Sequence, residues 1–558
     1  MIKETVLVRF IIDRRNANGV RRNFLKLLRV IKAMKRKQKR NYCSVFKKAL
    51  RKCFNTCVKQ IVEFCLETGI HGCKYICDTK RPMIERVVWA IMVLASMWAA
   101  FRMVKTTHEE YVKFFVVSVI ESIHHGIWNY PFPAVTVCDF NRVSLKLTQR
   151  FVDNLTLPST VSKEFIVQEM KLLDELIYPG KYGSHVRNNL SQLQIIFDMN
   201  GLSIPAVINA VTRDCESLLQ SCKWKATNID CSALFQPSLT RDGMCCSFNH
   251  ITNDRITKEP NISPHKMISC GYQNGLIVLL NIDPSDYHAS SIKSVGVKVM
   301  VHNSYNYPDY DAPSTLIGVN KYSFVTIQPI EIYFPKEVKK SFIKDCIHYN
   351  EADKVFGNIS KRNFVPVRYS FVNCLADCRT SIIKKKCGCI PYYYPQTKSR
   401  VCNLRDSECL ETFKFWYDTS WPGMNISPQT LPFVKLNAEE RPCGCRHDCN
   451  MYRYFIENSS GDLDERVYYN DLAYTTYPNE GESWTNQSVI HVFFGDLVST
   501  KYRRDFFFPW RYYFATIGGV LGVFAGISFL STFEIVYFFF FRFLKNISVA
   551  CNIFKSFD

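Results

Sequence analysis

Two stretches interrupt an otherwise mixed alternation of apolar and polar positions. Val87–Phe101 is fifteen apolar or small residues in a row, preceded by Met83–Ile84 and followed by Met103–Val104. Fifteen is short of the ~20 residues a helix needs to cross a bilayer. The flanking Arg86, Arg102 and Lys105 can snorkel, which brings residues 83–104 to spanning length. A buried core helix is the alternative for this stretch. Tyr512–Phe541 is thirty residues with one charge, Glu534, and opens on Trp510, Tyr512 and Tyr513, aromatics of the kind that sit at a membrane interface. The pattern predicts membrane helices over 83–104 and 511–541.

Charge gives the orientation. The chain of 558 residues carries a formal charge of +21, and residues 1–82 hold 22 Lys/Arg against 5 Asp/Glu, so +17 lies there. Residues 21–60 hold 15 Lys/Arg and no Asp/Glu. The positive-inside rule places them in the cytosol, and two spans return the C-terminus to the same side. The domain scheme is then a cytoplasmic region 1–82, a first span, an extracellular region 105–510, a second span and a cytoplasmic tail 542–558. The patch Val6–Ile12 contains Arg9 and no cleavage site of small residues follows it, so the first span acts as the insertion signal. The basic run Lys35–Arg40 suits an anionic inner leaflet, or a solvated tail, better than a nucleic acid. Cys53-x3-Cys57 and Cys73-x3-Cys77 on that side suggest acylation or packing rather than a metal.

The region between the spans tests the scheme independently. It contains 17 of the 24 cysteines and seven of the eight Asn-x-Ser/Thr sequons, at Asn154, Asn189, Asn261, Asn358, Asn425, Asn458 and Asn486. That joint distribution fits an oxidising, extracellular compartment. Cys374-x3-Cys378, Cys387-Gly-Cys389, Cys402, Cys409 and Cys443-Gly-Cys445-x3-Cys449 read as a ladder of disulfides, since Cys-x-Cys is poor zinc spacing. Spacing alone leaves the connectivity open. Such a ladder makes a stiff element, suited to force transmission or to a protease-resistant receptor.

The second apolar stretch carries its own chemistry. Gly518, Gly522 and Gly526 share one helix face, with Gly519 beside them, which suits close helix packing. Gly526-Ile527-Ser528 is prone to break the helix, and non-helical backbone at membrane depth is tolerated where it lines water or is buried in protein. Several copies around an axis would present carbonyl and hydroxyl oxygens, hard ligands suited to Na⁺. Glu534 would attract cations at the inner mouth, or would pair with a basic residue near the interface.

These residues resemble the degenerin/epithelial sodium channel family, and within it the insect pickpocket-like subunits, over nearly the whole chain. The resemblance rests on Gly69-Ile70-His71-Gly72 before the first span and Phe132-Pro133-Ala134-Val135-Thr136-Val137-Cys138 after it. It rests also on the Cys374–Cys449 pattern and on Gly526-Ile527-Ser528. It implies an α+β membrane protein, with two transmembrane helices flanking a large disulfide-rich extracellular domain that has a β-sheet palm and a helical finger and thumb. It implies bridges Cys138–Cys246, Cys222–Cys231, Cys346–Cys449, Cys374–Cys445, Cys378–Cys443, Cys387–Cys409 and Cys389–Cys402. Cys215, Cys245 and Cys270 fall outside that set; Cys215–Cys245 is an extra candidate, and the odd count leaves one cysteine over. The resemblance assigns His71 and Gly72 to gating and Gly526–Ser528 to the selectivity filter. Ala515 takes the position where a bulky residue holds the family's channels open. Thr516 stands where acid-sensing channels have Asp, so their gating details do not transfer.

The function this implies is a subunit of a homo- or heterotrimeric, sodium-selective, amiloride-sensitive cation channel. It would lie in the plasma membrane with both termini cytoplasmic, permeant Na⁺, no cofactor, no metal and no nucleic-acid partner. Its stimulus, chemical or mechanical, and any extracellular ligand stay open. An ecto-enzyme is disfavoured because no phosphate loop or Ser/His/Asp set can be assigned. A glycosylated scavenger or adhesion receptor would share the loop but not the glycine face. An ATP-gated channel would share the topology but not the cysteine frame.

Overall fold

The computed structural model describes residues 55, 58–113, 116–159, 161–310, 312–335, 346–348, 367–395, 399–435, 441–463, 486–506, 510–542 and 544–545. Most of the basic segment 21–60, Cys53, Cys57, Asn358 and the tail beyond 545 lie outside them. The chain divides into two units, Val117–Asp505 and the two flanks, Met1–Val116 with Phe506–Asp558.

The larger unit mixes sheets and helices. Ala134–Asp139 is buried at every position, which is why its sequence reads as an apolar run rather than an alternation. It lies third in a five-stranded sheet ordered Ser314–Gly318, Gly296–His302, Ala134–Asp139, Gly243–Phe248, Phe235–Thr240. An eight-stranded sheet is built around Lys321–Tyr333. That strand pairs antiparallel with Asn450–Asp462 along its whole length, and parallel with Gln487–Phe494 and Val498–Phe506. Ser323, Val325, Ile327 and Pro329 face inward at period two. Between these sheets lies one core, with Phe132 edge-on to Trp224 at 4.9 Å and to Phe494 at 5.2 Å. The Phe132-Pro133-Ala134 signature is therefore core. A second core, under the helices, gathers Ile177, Leu193, Phe197, Val207, Tyr392 and Tyr393.

Phe371–Cys387 is the long helix of the cysteine ladder. Ser370 caps its start by accepting from the Asn373 N–H at 3.1 Å. Gly388, at φ 68, ends it, after Lys384–Lys386 have placed positive charge at the negative end of the helix dipole. Arg379 on this helix is fully buried. Its guanidinium donates to Asp309 and to the Thr419 carbonyl, the latter at 3.0 Å. Breaking such a pair strands a buried charge, at about 3–5 kcal/mol.

The bridges are Cys222–Cys231, Cys346–Cys449, Cys374–Cys445, Cys378–Cys443, Cys387–Cys409 and Cys389–Cys402, with two further pairs that differ from the expected ones. Cys138 bonds Cys245, not Cys246, and Cys215 bonds Cys246, not Cys245. Strand register explains the exchange. Val137 opposes Cys246 across the antiparallel pair, so the next step places Cys138 opposite Cys245, with Cα atoms 4.6 Å apart. Consecutive strand residues face opposite ways, so the Cys246 thiol emerges on the other face, toward Cys215. Cys270 is a free thiol.

In the flanking unit, Met83–Lys113 is one continuous helix, longer than the expected 83–104. It runs on because Lys105–Lys113 is itself a helix-forming polar segment, with Lys105 3.8 Å from Glu109 one turn on. It alone among the described helices is long and apolar enough to cross a membrane as a single rod. The expected second span is not one rod. It is a helix Trp510–Ala525 and a helical segment Phe529–Arg542, bent by 72° at the intervening break; together they meet the same criterion.

Candidate functional site: a broken helix held by the His-Gly loop

The break is built from three residues. Gly526 has φ +67, a left-handed conformation that L side chains rarely adopt. Its N–H reaches the Gly522 carbonyl at 2.9 Å, which closes the first half-helix in the αL fashion. Ile527 crosses the gap. Ser528 starts the second half-helix: its hydroxyl accepts from the Ser531 N–H at 3.2 Å, and Ser531 accepts from the Ser528 N–H at 3.2 Å. This reciprocal cap satisfies donors that the broken helix would otherwise leave bare in an apolar setting.

The carbonyls on the other side of the break are also taken. The Ala525 carbonyl accepts from the His71 N–H at 3.0 Å, and the Phe524 carbonyl accepts from the Ser96 hydroxyl. The His71 ring packs directly on Gly526, where an added Cβ would lie 2.5 Å from a ring carbon. Gly72, at φ +82, is pressed equally closely against Val93 and next to Trp89 of the long helix. Glu534 makes no ion pair among the described residues. Its carboxylate accepts from the Thr68 hydroxyl at 3.2 Å and the Gly69 N–H at 3.4 Å. It therefore holds the same loop nearly two turns beyond Ser528, through a hydroxyl and a backbone N–H rather than the basic partner weighed from sequence.

Two more layers brace the arrangement. The Gln60 amide donates to the Phe538 carbonyl at 3.1 Å, and Phe64 meets the rings of Phe538 and Phe539 edge-on. Arg542 pairs with Glu63 and stands 3.5 Å from Glu67. At the other end His108 meets the Tyr513 hydroxyl at 3.0 Å and Tyr111 stacks on Tyr513 at 4.4 Å. The contacts 96 with 524 and 108 with 513 show that Met83–Lys113 and Trp510–Ala525 run antiparallel. Cys65, Cys73 and Cys77 are free thiols beside the loop. Burial, reinforced by Cys77, pushes Cys65 up to about 12, so it stays a thiol.

Ala515, Thr516, Gly518 and Gly519 are exposed on the first half-helix, and nothing among the described residues stands within 4 Å of a Cβ placed at Gly518, Gly519 or Gly522. Thr516 turns its hydroxyl back to the Tyr512 carbonyl at 2.8 Å. The structure thus brings His71, Gly72, Gly526–Ser528 and Glu534 together. Ala515, Gly518, Gly519 and Gly522 lie apart from it, and the three glycines face no neighbour among the described residues. Sequence reasoning missed Ser96 and Ser531. Ser96 was visible as the single polar residue in Val87–Phe101, and Ser531 as the second half of a Ser-x-x-Ser cap.

A sequence model described as amiloride-sensitive sodium channel matches residues 64–538. The chain belongs to that family, one of ion channels, and is a degenerin/epithelial sodium channel subunit of the pickpocket-like kind. It is 24% identical over 516 residues to the sodium channel protein Nach of Drosophila melanogaster, covering 88% of each chain. It is 24% identical to pickpocket protein 28 of the same fly, covering 87% of this chain and 79% of that one. It is 24% identical to the human bile acid-sensitive ion channel, covering 86% of each. Among solved structures, a cryo-EM proton-activated chloride channel aligns with a TM-score of 0.27 at 7% identity, over 82% of this chain and 98% of that one, too distant to bear on fold or function.

Proposed function

We propose that the chain is a subunit of a trimeric, sodium-selective and amiloride-sensitive cation channel of the plasma membrane, with both termini cytoplasmic. In this reading Met83–Lys113 and the bent pair 510–542 are its two spans. Gly526, Ile527 and Ser528 form the selectivity filter, and Ala515, Thr516 and the glycine face line the pore and gate above it. The observation that carries the reading is the break itself. A helix interrupted within an apolar segment, with its carbonyl ends capped from the His-Gly loop, is the kind of backbone that membranes tolerate around an ion path.

Gating follows from the same contacts. The loop 68–72 touches the break through His71 and the second half-helix through Glu534, so displacing the loop changes the geometry of the filter. A stimulus, chemical or mechanical, would act by biasing the docked and undocked states of this loop. The extracellular sequons suit this topology: Asn154, Asn261, Asn425 and Asn458 are exposed. Asn189 already donates to Glu169 at 2.9 Å, and a glycan there would replace that bond.

The test is ion replacement under voltage clamp with an Ala515→Phe background to hold the channel open. Ser528→Ala removes the hydroxyl and a cap worth about 1 kcal/mol to the second half-helix. It should lower the Na⁺ over K⁺ permeability ratio several-fold. An unchanged ratio in a conducting channel would remove Ser528 from the filter.

A further inference from the structure

Breaking the helix takes from the Phe524 carbonyl the donor that a continuous helix would supply, the N–H of residue 528. That N–H turns to the Ser531 hydroxyl at 3.2 Å. The two N–H groups before it are also spent: Gly526 donates to the Gly522 carbonyl at 2.9 Å and Ile527 to the Leu521 carbonyl at 3.2 Å. The donor that Phe524 receives comes from another helix, as the hydroxyl of Ser96. In apolar surroundings no water would stand in for it.

A hydroxyl in a helix has a nearer acceptor, the carbonyl four residues back along its own chain. Thr106 takes that option on the same long helix, toward the Arg102 carbonyl at 3.0 Å, and Thr516 takes it on the first half-helix, toward Tyr512 at 2.8 Å. Ser96 reaches across to the other helix instead. It is the only hydroxyl in the apolar run Val87–Phe101, and it is half-buried. It lies on one stripe with Trp89, Val93 and Ala100, spaced by three and four. Val93 and Trp89 press on Gly72 of the loop, and Ala100 is buried. The same stripe of the long helix therefore backs the loop and, through Ser96, holds the end of the first half-helix.

We propose that Ser96 is a positioning residue for ion selectivity: by holding the Phe524 carbonyl it fixes the direction in which Gly526–Ser528 leave the first half-helix. This rests on the reading of Gly526–Ser528 as the filter. Two carbonyls at the break are held from outside, and by different elements. Ala525 is held by the His71 N–H of the loop, and Phe524 by the long helix. Undocking the loop releases the first and not the second, so Ser96 keeps the end of the half-helix in place while the filter responds to the loop.

The test has two readouts on the full chain. Under voltage clamp in the Ala515→Phe background, Ser96→Ala should lower the Na⁺ over K⁺ permeability ratio about threefold, the scale of one interhelical hydrogen bond in a membrane protein. Ser96→Thr keeps the hydroxyl and should restore most of the ratio. Thr106→Ala removes a hydroxyl spent on its own helix and should leave the ratio unchanged. In the purified chain in detergent, amide hydrogen exchange over residues 522–531 should be about threefold faster in Ser96→Ala than in wild type, and at the wild-type rate in Thr106→Ala. An unchanged ratio for Ser96→Ala in a background that prefers Na⁺ would overturn the role of Ser96 alone. A conducting background without preference for Na⁺ would overturn the filter reading, and this role with it. Exchange in Ser96→Ala no faster than in wild type would overturn the hold of Ser96 on the break, whatever the chain conducts.

Discussion

The contact between His71 and Gly526 can be isolated by a double-mutant cycle. Gly526→Ala has two separable costs. An L residue at φ +67 loses about 1–2 kcal/mol wherever the ring of His71 is. The new Cβ also meets the imidazole at 2.5 Å, nearly 1 Å inside ordinary contact, and making room costs about 1–3 kcal/mol as other overpacking does. His71→Ala deletes the ring but keeps the backbone N–H that serves the Ala525 carbonyl, so only the second cost disappears. The coupling energy is therefore the clash, about 1–3 kcal/mol. The assay is the thermal midpoint at which half of the purified full chain remains monodisperse. Gly526→Ala should lower that midpoint about twice as far in the wild-type background as in the His71→Ala background. Equal shifts in both backgrounds would refute the packing of the His-Gly loop on the helix break.

Two other outcomes follow from the larger unit. Non-reducing peptide mapping should find Cys138 linked to Cys245 and Cys215 to Cys246; Cys245→Ser should free the Cys138 thiol and Cys246→Ser the Cys215 thiol, and the opposite assignment would mean a strand register one residue away. Acid should destabilise this unit through His302, which is buried beside His250 and held by burial at about 4, below the ordinary 6.5. Its Nδ1 faces the Asn303 carbonyl at 3.0 Å, so Nε2 accepts from the Thr136 hydroxyl at 2.8 Å, and a second proton would displace that donor. A folded-state pKa below the unfolded one means that protonation favours unfolding. The contribution is complete above pH 6.5 and is lost as pH falls toward 4, about 3 kcal/mol in all. His302→Gln should flatten the decline of thermal stability over that window, and a parallel decline would show that His302 does not titrate there.

Much of this was legible from residue order, for identifiable reasons. The ladder from Cys374 to Cys449 and the apolar runs depend on local spacing, which sequence displays directly. Cys245 and Cys246 were assigned the wrong way round, because two adjacent cysteines differ only in which face of a strand they occupy. That is decided by pairing with Ala134–Asp139, more than a hundred residues away. The first long helix continues past the expected span 83–104 to Lys113, a stretch on which hydropathy is silent because its residues are largely polar. The partner of Glu534 was sought among cations, since an intramembrane carboxylate implies a charge to balance it. The structure satisfies it instead with a hydroxyl and a backbone N–H from the turn 68–69.

That last substitution links the two motifs that sequence could only place separately. A helix broken in an apolar setting exposes carbonyls on one side and N–H groups on the other, and each must find a partner. At Gly526–Ser528 the N–H side is served internally by Ser528 and Ser531. The carbonyl side is served from outside, by Ser96 of the long helix and the His71 N–H. The break therefore does not stand alone: undocking the loop 68–72 strands the Ala525 carbonyl and releases the hold on Glu534 at once. A loop that precedes the long helix Met83–Lys113 in sequence thus acts on the backbone of the break at Gly526–Ser528, and the left-handed glycines at 72 and 526 are needed because Gly72 lets the loop approach Val93 and Gly526 lets His71 approach the break within side-chain distance.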